Sequence, residues 1–510
     1  MDTGDKHDGG SAFRPSRICY LAVLSTTFWA LVFYLHSSMQ CGSGVPSVLF
    51  KPSAFSQLPL LSSITGGRRR PPPEQPQLPV MTGQAPSPPA TAQVNRSAAA
   101  PSGDRCAGRY IYMYDLPPRF NDDVARGCSK LRKWMDMCPY VANCGMGQPL
   151  GADGGAFSGR GWYDTDQFFL DVIFRCRFQR YECLTDDASV ASAVFVPFYA
   201  SLDGGRYQFN STSTRDALAM DLVEWLARRP EWRAMGGADH FFVAGRTEWD
   251  FRRSSDADDH WGTKLLNIPA VQNMTALVLE ANPWSHRTLL VTPYPTYFHP
   301  ETAADVAAWQ EKVRKAERKW LFSFAGAPRP GSSQTVRAEI FKQCGSSSRC
   351  KLFHCVTGRP AEGNCNSPGN VMRVFESSSF CLQPRGDTLT RRSTFDTILA
   401  GCIPVFFHPG SAYQQYTLHL PDDPERWSVL IMHSDVTGGN VSIEETLSKI
   451  PPETVRAMRE EVIRLIPRVV YADPRSGNLD FKDAFDITVE AVIDRVAKRR
   501  RGAATGHEYR

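Results

Sequence analysis

The sequence predicts an α/β protein of two doubly wound domains that face a cleft, placed behind a single N-terminal membrane span. Three features lead to this prediction: a long uncharged apolar run, a Pro- and Ser-rich stretch after it, and two successive regions where β-rich runs alternate with helical patterns. The 510 residues, 42% hydrophobic and 22% charged, leave room for two or three folded domains. The formal net charge of +5 is small and its basic residues are dispersed, which argues against nucleic acid as a partner.

The apolar run Ile18–Leu35 contains no charged residue and, at about 1.5 Å per residue, is about 27 Å long, close to the ~30 Å of a hydrocarbon layer. Three basic residues precede it, and no Lys or Arg follows before Lys51. The positive-inside rule therefore places residues 1–17 in the cytosol and the rest of the chain in the lumen. A cleaved signal peptide is the alternative, which the lack of a small-x-small cleavage site disfavours.

Cysteines and glycosylation sequons fit a lumenal location. Twelve of the 14 Cys lie from Cys106 onward, an even number suited to disulfides in an oxidising compartment. Close spacing makes Cys176 with Cys183, and Cys344 with Cys350, plausible local pairs, although sequence alone leaves the connectivity open. Four N-x-S/T sequons begin at Asn95, Asn210, Asn273 and Asn440.

Composition and patterning divide the rest of the chain. Residues 36–104 are rich in Pro, Ser, Gln and Ala and are too poor in apolar residues for a core, so they are predicted to be an extended stem. Residues 105–310 and 311–490 are the two predicted α/β domains, and residues 491–510 are expected to be a polar tail.

The alternation itself defines the predicted elements. In the first domain, strands are expected at 110–114, 191–200, 240–245, 277–280 and 289–295, a helix at 213–229, and a charged closing helix at 302–318. In the second domain, strands are expected at 319–326, within SFCLQP, within GCIPVFF, and at 427–432.

The segment 380–407, FCLQPRGDTLTRRSTFDTILAGCIPVFF, reads as strand, glycine-containing loop, helix and strand. Ligands of open α/β sheets bind at the carboxyl ends of the strands. That position holds Arg385, Gly386, Asp387, Thr388 and Thr390, just before a helix that begins near Ser393. The helix dipole and the arginines Arg385, Arg391 and Arg392 favour a diphosphate, which Gly386 allows to approach the backbone.

Two further residues complete this predicted site. Asp396, one turn into the helix, has the carboxylate that can accept both hydroxyls of a ribose. Arg329, in the loop after the strand LFSFAG, is a second candidate anion ligand expected to face the same cleft. The alternatives are that Asp387 only caps the helix, that Asp396 is a solvated helix carboxylate, and that the Arg329 loop is a plain turn.

Several stretches resemble one family: YIYMYDLPPRFN, WYDTDQFFLDVIF, ASAVFVPFYASLD, RKWLFSFAGAPRP and the segment from 380 onward. They are similar to the exostosin-like glycosyltransferases of family 47, and within it to the plant xyloglucan galactosyltransferase (Katamari) branch. The resemblance runs from about Cys106 to about Leu465, nearly the whole predicted lumenal region.

This resemblance implies a GT-B fold, inverting transfer from a UDP-sugar to a polysaccharide, and residence in the Golgi membrane as a single-pass type II protein. It places the donor site on Arg385, Gly386, Asp387, Thr388, Arg392 and Asp396. The branch implies galactose as the sugar and xyloglucan side chains as the acceptor, with complexes among wall-polysaccharide transferases as a further expectation. The alternatives are another UDP-sugar (galacturonic acid, arabinose or xylose) and a non-catalytic polysaccharide-binding protein.

No metal or other cofactor is expected. A DxD sequence at Asp164–Asp166 precedes the helical pattern FFLDVIFRC, so its carboxylates are better explained as the cap and first turn of that helix than as Mn²⁺ ligands. If arginines and a helix terminus neutralise the leaving diphosphate, no metal is required.

Inverting transfer needs a base that takes the proton of the acceptor hydroxyl. Asp239 and His240, at the start of the strand HFFVAG, are the candidate catalytic pair, and Glu248 with Asp250 in the following loop is the alternative. Aromatic faces are expected to bind a neutral glucan, and first-domain loops are rich in them: Trp162, Tyr163, Tyr199, Trp249, Trp261, Tyr294 and Tyr297.

Overall fold

A computed structural model describes residues 104–151, 157, 159–284, 288–328, 335–355, 367–476 and 479–504. The predicted cytosolic tail, the membrane span 18–35, nearly all of the stem, and Arg329 lie outside these residues. Within the described ranges, no helix is both long and apolar enough to cross a membrane.

The first sheet has six strands, all parallel, in the spatial order β2-β1-β3-β4-β5-β6. The strands are β1 Ile111–Met113, β2 Leu184–Thr185, β3 Ala193–Phe195, β4 His240–Thr247, β5 Thr275–Glu280 and β6 Leu289–Val291. Every residue of β3, β4 and β5 is buried, as expected for parallel strands covered on both faces. Thr247 and Glu280 are paired at the last register position, so β4 and β5 end side by side.

The second sheet has five parallel strands in the order β11-β10-β9-β7-β8. Its strands are β7 Trp320–Gly326, β8 Cys350–His354, β9 Ser378–Gln383, β10 Ile403–Phe406 and β11 Val429–Leu430. Four of them confirm strands expected from the sequence, whereas β8 was not predicted because its run CKLFH is short and half polar. The two parallel α/β domains of the prediction are therefore present.

Helices cover both sheets. In the first domain they are α1 Asp122–Arg126, α2 Cys138–Gly145, α3 Leu170–Phe178, α4 Ala200–Arg206, α5 Thr212–Ala227, α6 Pro230–Met235 and α7 Pro269–Asn273. From the domain boundary onward they are α8 Ala303–Lys315, α9 Val336–Ser346, α10 Pro368–Glu376, α11 Ser393–Leu399, α12 His433–Thr437, α13 Ile443–Ser448, α14 Pro452–Val469 and α15 Ala484–Ala504. Thr302 caps the predicted charged helix α8 through a capping box with Asp305.

The end of the chain differs from the expected polar tail. Residues 491–504 continue α15, which packs on the first domain. Three arginines bind backbone carbonyls just before strands or at their first residue: Arg495 binds Leu289, Arg499 binds Ala238 and Asn273, and Arg500 binds Ala191. Within the run KRRR, Arg499 and Arg500 are therefore carbonyl ligands on a helix, because the guanidinium fork supplies several donors at once, whereas Lys498 is exposed.

Five disulfides lie among the described residues: Cys106–Cys183, Cys128–Cys138, Cys144–Cys176, Cys344–Cys350 and Cys381–Cys402. The local pair of Cys344 is as expected, but the expected pair of Cys176 and Cys183 is wrong. Each of those two cysteines joins a segment distant in sequence, because the fold brings β1 and α2 beside them. The three sequon asparagines that the structure describes, Asn210, Asn273 and Asn440, are all exposed.

The two domains share one connected core of buried apolar side chains. Polar contacts also cross the boundary: the indole N–H of Trp309 donates to the carbonyl of Leu399 at 2.8 Å, and the hydroxyl of Tyr416 donates to that of Leu279 at 2.9 Å. The carboxyl ends of the central strands are thereby fixed against the second domain.

Candidate active site

The loop Arg385–Thr390, called the donor loop below, follows the carboxyl end of β9 and leads into α11. Arg385 and Asp387 are exposed, whereas Gly386 is buried. The guanidinium of Arg391 lies over Gly386, where a Cβ would have to displace it. The loop therefore presents charged side chains to solvent while its glycine lies beneath an arginine.

The loop after β7 lies beside the donor loop, as the sequence suggested. Arg337 donates to the carbonyl of Ala327 at 3.2 Å and to that of Arg385 at 3.3 Å. Ala327 therefore lies at the same edge of the second sheet as the donor loop, although Arg329 itself is outside the described residues.

Glu280, the last residue of β5, joins the donor loop to the first domain. Its side chain is buried and accepts hydrogen bonds from the backbone amides of Leu389 and Thr390, each at 3.0 Å, and from the Thr390 hydroxyl. It also accepts from the indole N–H of Trp249 at 3.4 Å. The amides of Leu389 and Thr390 are thus occupied by a carboxylate of the first domain.

Arg392 also contacts the first domain. Its guanidinium carbon lies 3.6 Å from the ring centroid of Tyr297, and its Nη1 donates to the carbonyl of Thr165. Its Nε is 3.6 Å from Asp396 Oδ2. Within the described part of the chain, Nε and Nη2 of Arg392 are buried without a hydrogen-bond partner. The second domain is thus held to the first through both Glu280 and Arg392.

Asp396 lies in the interior on α11 rather than on a solvated helix face. Burial raises the pKa of its carboxyl to about 6, with the neighbouring Arg392 acting in the opposite direction. Its Oδ1 is buried and has no hydrogen-bond partner among the described residues. The pair formed by Asp396 and Arg392 therefore retains unused donors and acceptors, which is unusual for buried polar atoms.

The ends of β4 and β5 and the residues that follow β4, called the carboxyl edge below, supply the acidic and aromatic groups that face the donor loop. Glu248 is buried, and burial raises the pKa of its carboxyl. Asp250 is half-buried and lies between two exposed indoles, Trp249 and Trp261. The N–H of Trp261 donates to Asp250 Oδ1 at 2.6 Å, which fixes the orientation of the carboxylate.

Asp239 and His240 lie at the opposite end of β4, called the amino edge below. His240 is wholly buried, with Nδ1 2.8 Å from Asp239 Oδ1 and Nε2 2.9 Å from the hydroxyl of Tyr114. Asp239 also pairs with Arg500 at 3.4 Å. Because an eight-residue strand is about 26 Å long, this pair is remote from the donor loop, and Glu248 with Asp250 is the pair that the fold brings to it.

The DxD sequence does not cap a helix, because α3 begins at Leu170 with Phe169 as its N-cap. Asp166 instead forms an ion pair with Arg132 at 2.9 Å and accepts from the amide of Phe168. Burial raises the pKa of Asp164. Among the described residues, no cluster of three or more His, Cys, Asp or Glu has the arrangement of a metal site.

Of the seven aromatics proposed for acceptor binding, two are exposed, Trp249 at 42% and Trp261 at 52%. Four others belong to the core: Trp162, Tyr163, Tyr199 and Tyr294. The sequence did not identify Glu280 as a contact of the donor loop, nor Thr165 and Tyr297 as contacts of Arg392 just after it. No local signal identifies them, because each acts on a segment more than 90 residues away in the chain.

Two parallel α/β domains, joined where an arginine-rich loop of one meets an acidic and aromatic edge of the other, have the arrangement in which α/β enzymes bind substrates at the carboxyl ends of their strands. Residues 105–447 match the Exostosin GT47 domain. The chain belongs to this family of glycosyltransferases.

The relatives agree with the family. The chain is 46% identical to Xyloglucan galactosyltransferase MUR3 of Arabidopsis thaliana, over 98% of this chain and 86% of that one. It is also 46% identical to Probable xyloglucan galactosyltransferase GT12 of the same plant, over 79% of this chain and 80% of the relative. Xyloglucan-specific galacturonosyltransferase 1, also of Arabidopsis thaliana, is 39% identical over 77% of this chain and 58% of its own length.

Proposed function

We propose that the protein is an inverting, GT-B-type galactosyltransferase that moves galactose from UDP-galactose to side chains of xyloglucan. The observation that carries this proposal is the contact of Glu280 with the amides of Leu389 and Thr390, which holds the arginine-rich donor loop against the carboxyl edge of the first domain. The sugar and the acceptor are taken from the named activities of the relatives.

In this proposal the donor loop binds UDP. Arg385 and Arg391 neutralise the diphosphate, and the hydroxyl of Thr388 adds a donor. Asp396, whose Oδ1 has no hydrogen-bond partner among the described residues, accepts hydroxyls of the ribose while it holds Arg392. Arginines supply the charge that a divalent cation supplies in other transferases, so the reaction is proposed to need no metal.

Asp250 is the proposed general base. It is the half-buried acid at the carboxyl edge, whereas Glu248 beside it is buried. Asp250 takes the proton of the acceptor hydroxyl while the hydroxyl oxygen of the acceptor bonds to the anomeric carbon of galactose. The bond from that carbon to the diphosphate breaks on the opposite face, and UDP leaves. Trp249 and Trp261, exposed on either side, provide faces on which acceptor sugars stack.

The proposed setting is the Golgi lumen, with the chain anchored through residues 18–35. The five disulfides and the exposure of Asn210, Asn273 and Asn440 support a lumenal location for the described region. Association with other wall-polysaccharide transferases is part of this proposal and follows from the shared substrate alone.

The test is to incubate the purified full-length protein with xyloglucan that lacks galactose and with each of several UDP-sugars, and to measure the mass of the product. Addition of one hexose from UDP-galactose is the expected result. Addition of a sugar from UDP-galacturonic acid alone would replace UDP-galactose as the proposed donor. This second candidate is favoured by the similarity to Xyloglucan-specific galacturonosyltransferase 1. Transfer from no donor would overturn the enzymatic proposal.

A further inference from the structure

Glu280 carries a contact that a structural role alone does not require. The same carboxylate contacts the proposed donor site and the proposed acceptor site. It accepts from two consecutive donor-loop amides and from the indole N–H of Trp249. Two successive backbone N–H groups that converge on one anion form a concave anion site. Here a side chain of the other domain fills that site.

The acceptor side of this contact is exposed, whereas Glu280 and Thr390 are buried. Trp249 is 42% exposed and immediately precedes the proposed base Asp250 in the chain. A sugar that stacks on this indole would hold the ring in one orientation. Because its N–H is directed at Glu280, ordering of the ring also orders the carboxylate that binds the donor loop.

The donor side responds to the same carboxylate. Thr390 is linked to Glu280 by its amide and its hydroxyl, and its hydroxyl also lies 3.1 Å from that of Tyr294. Thr390 is only two residues from Arg392 and four from Gly386. A shift of Glu280 therefore moves the part of the loop that is proposed to bind the diphosphate.

We propose that Glu280 is a positioning residue that couples acceptor binding at Trp249 to UDP binding at the donor loop, so that each substrate increases the affinity for the other. This inference rests on the proposed function. It adds a thermodynamic linkage, which by reciprocity must be of equal size in both directions.

A matched control lies across the same boundary. Gln415 binds the residue after Glu280, since its Nε2 donates to the carbonyl of Ala281 at 2.8 Å and its Oε1 accepts from the amide of Ala281 at 3.0 Å. It contacts Gly410 rather than the donor loop. Substitution of Gln415 thus weakens the domain contact without breaking the link from Trp249 to Thr390.

The experiment measures UDP affinity by calorimetry on the full-length protein, with and without a saturating xyloglucan oligosaccharide. No transfer occurs, because UDP carries no sugar. In the wild-type protein the oligosaccharide should tighten UDP binding by about five- to tenfold, at the low end of common coupling. Glu280→Gln and Trp249→Phe should both reduce this factor to about twofold or less. Trp249→Phe keeps an aromatic face for stacking and removes the five-membered ring that carries the N–H.

The outcomes separate the two proposals. Gln415→Ala should lower the melting temperature and keep the coupling factor. Full coupling in both Glu280→Gln and Trp249→Phe, or loss of coupling in Gln415→Ala as well, would overturn the role of Glu280. If Glu280→Gln does not fold, Trp249→Phe alone decides. A wild-type protein that binds no UDP would instead overturn the proposed function.

Discussion

The two edges of the first sheet carry similar residue types, but they differ in whether the polar groups have hydrogen-bond partners inside the protein. At the amino edge, the acid Asp239 and the arginines of α15 are fully engaged with His240 and with strand carbonyls. At the carboxyl edge, Asp250 is half-buried between exposed indoles, and Glu248 Oε2 is buried without a hydrogen-bond partner among the described residues. Across the domain contact, Asp396 and Arg392 of the second domain also have such atoms. Unsatisfied groups beside exposed rings indicate where ligands bind, and satisfied groups indicate where the fold is closed.

The sequence favoured the amino edge for the general base, although the fold places that edge away from the donor loop. An Asp-His pair looks catalytic in sequence, because neighbouring acid and imidazole groups are typical of proton transfer. The structure instead gives both ring nitrogens of His240 partners inside the protein.

Asp250→Asn should have the largest effect. The amide can still accept from the Trp261 N–H but cannot take a proton, so kcat should fall by about 100- to 10,000-fold. The measurement is initial-rate transfer at saturating substrates, with melting temperature as the check on folding. His240→Gln is the contrasting variant. It should lose stability and keep its kcat per folded molecule, and the reverse pattern would return the base to Asp239 and His240.

Asp396→Asn should weaken UDP binding by about 10- to 100-fold, since a hydrogen bond to a charged group is worth about 1.5–3 kcal/mol. The substitution is nearly isosteric, so the protein should remain folded at pH 7.5. Calorimetric titration with UDP measures the change. An affinity equal to that of the wild-type protein would remove Asp396 from the donor site.

Arg499→Ala tests the amino edge. It leaves the carbonyls of Ala238 and Asn273 without their guanidinium donor, at a cost of about 1–3 kcal/mol in the free energy of unfolding. Denaturant unfolding measures this cost. Transfer rate per folded molecule should not change, and a specific loss of kcat would mean that the two edges are not functionally separate.

The pH dependence of the unfolding free energy tests whether Asp396 is buried in the folded protein. Because its pKa is raised to about 6 by burial, the folded state holds this proton more tightly than the unfolded chain, whose Asp pKa is about 3.9. Its contribution to the unfolding free energy should therefore fall as pH rises between about 4 and 6, by up to about 3 kcal/mol. The difference between wild-type and Asp396→Asn unfolding curves isolates this effect. A difference that does not change with pH would contradict it.

Removal of divalent metal should have the smallest effect. If Arg385 and Arg391 neutralise the diphosphate, transfer after dialysis against EDTA should stay within about twofold of the untreated rate. Rates measured with and without added Mn²⁺ decide this. Loss of activity that Mn²⁺ restores would require another account of how charge on the leaving group is balanced.

The sequence predicted most of the fold because its signals are local. Continuous apolar runs predicted β3, β4, β5, β7, β9 and β10, and Thr302 marked the start of α8. The disulfide of Cys176 was wrong because proximity along the chain does not determine proximity in space. The run KRRR was expected to be solvated, because polarity alone cannot show that backbone carbonyls of the first domain lie within reach of Arg499 and Arg500.

The site was predictable in part for the same reason. The donor loop could be proposed as a site because glycine, arginines and a following helix are adjacent in sequence. The contact of the loop with Glu280, and those of Arg392 with Thr165 and Tyr297, depend on how two domains meet, which no spacing within one segment encodes. Asp396 was correctly placed on a helix, but its burial depends on the opposite domain.

The position of α15 has a consequence for synthesis. The first domain is built from residues 105–310, and the last turns of α15 pack on its strands. During synthesis its strands are made first, and residues 311–490 of the second domain follow before the last turns of α15 can pack on them. A premature stop codon that removes only the last turns of the chain should therefore trap a nascent, incompletely assembled first domain and expose it to quality-control degradation.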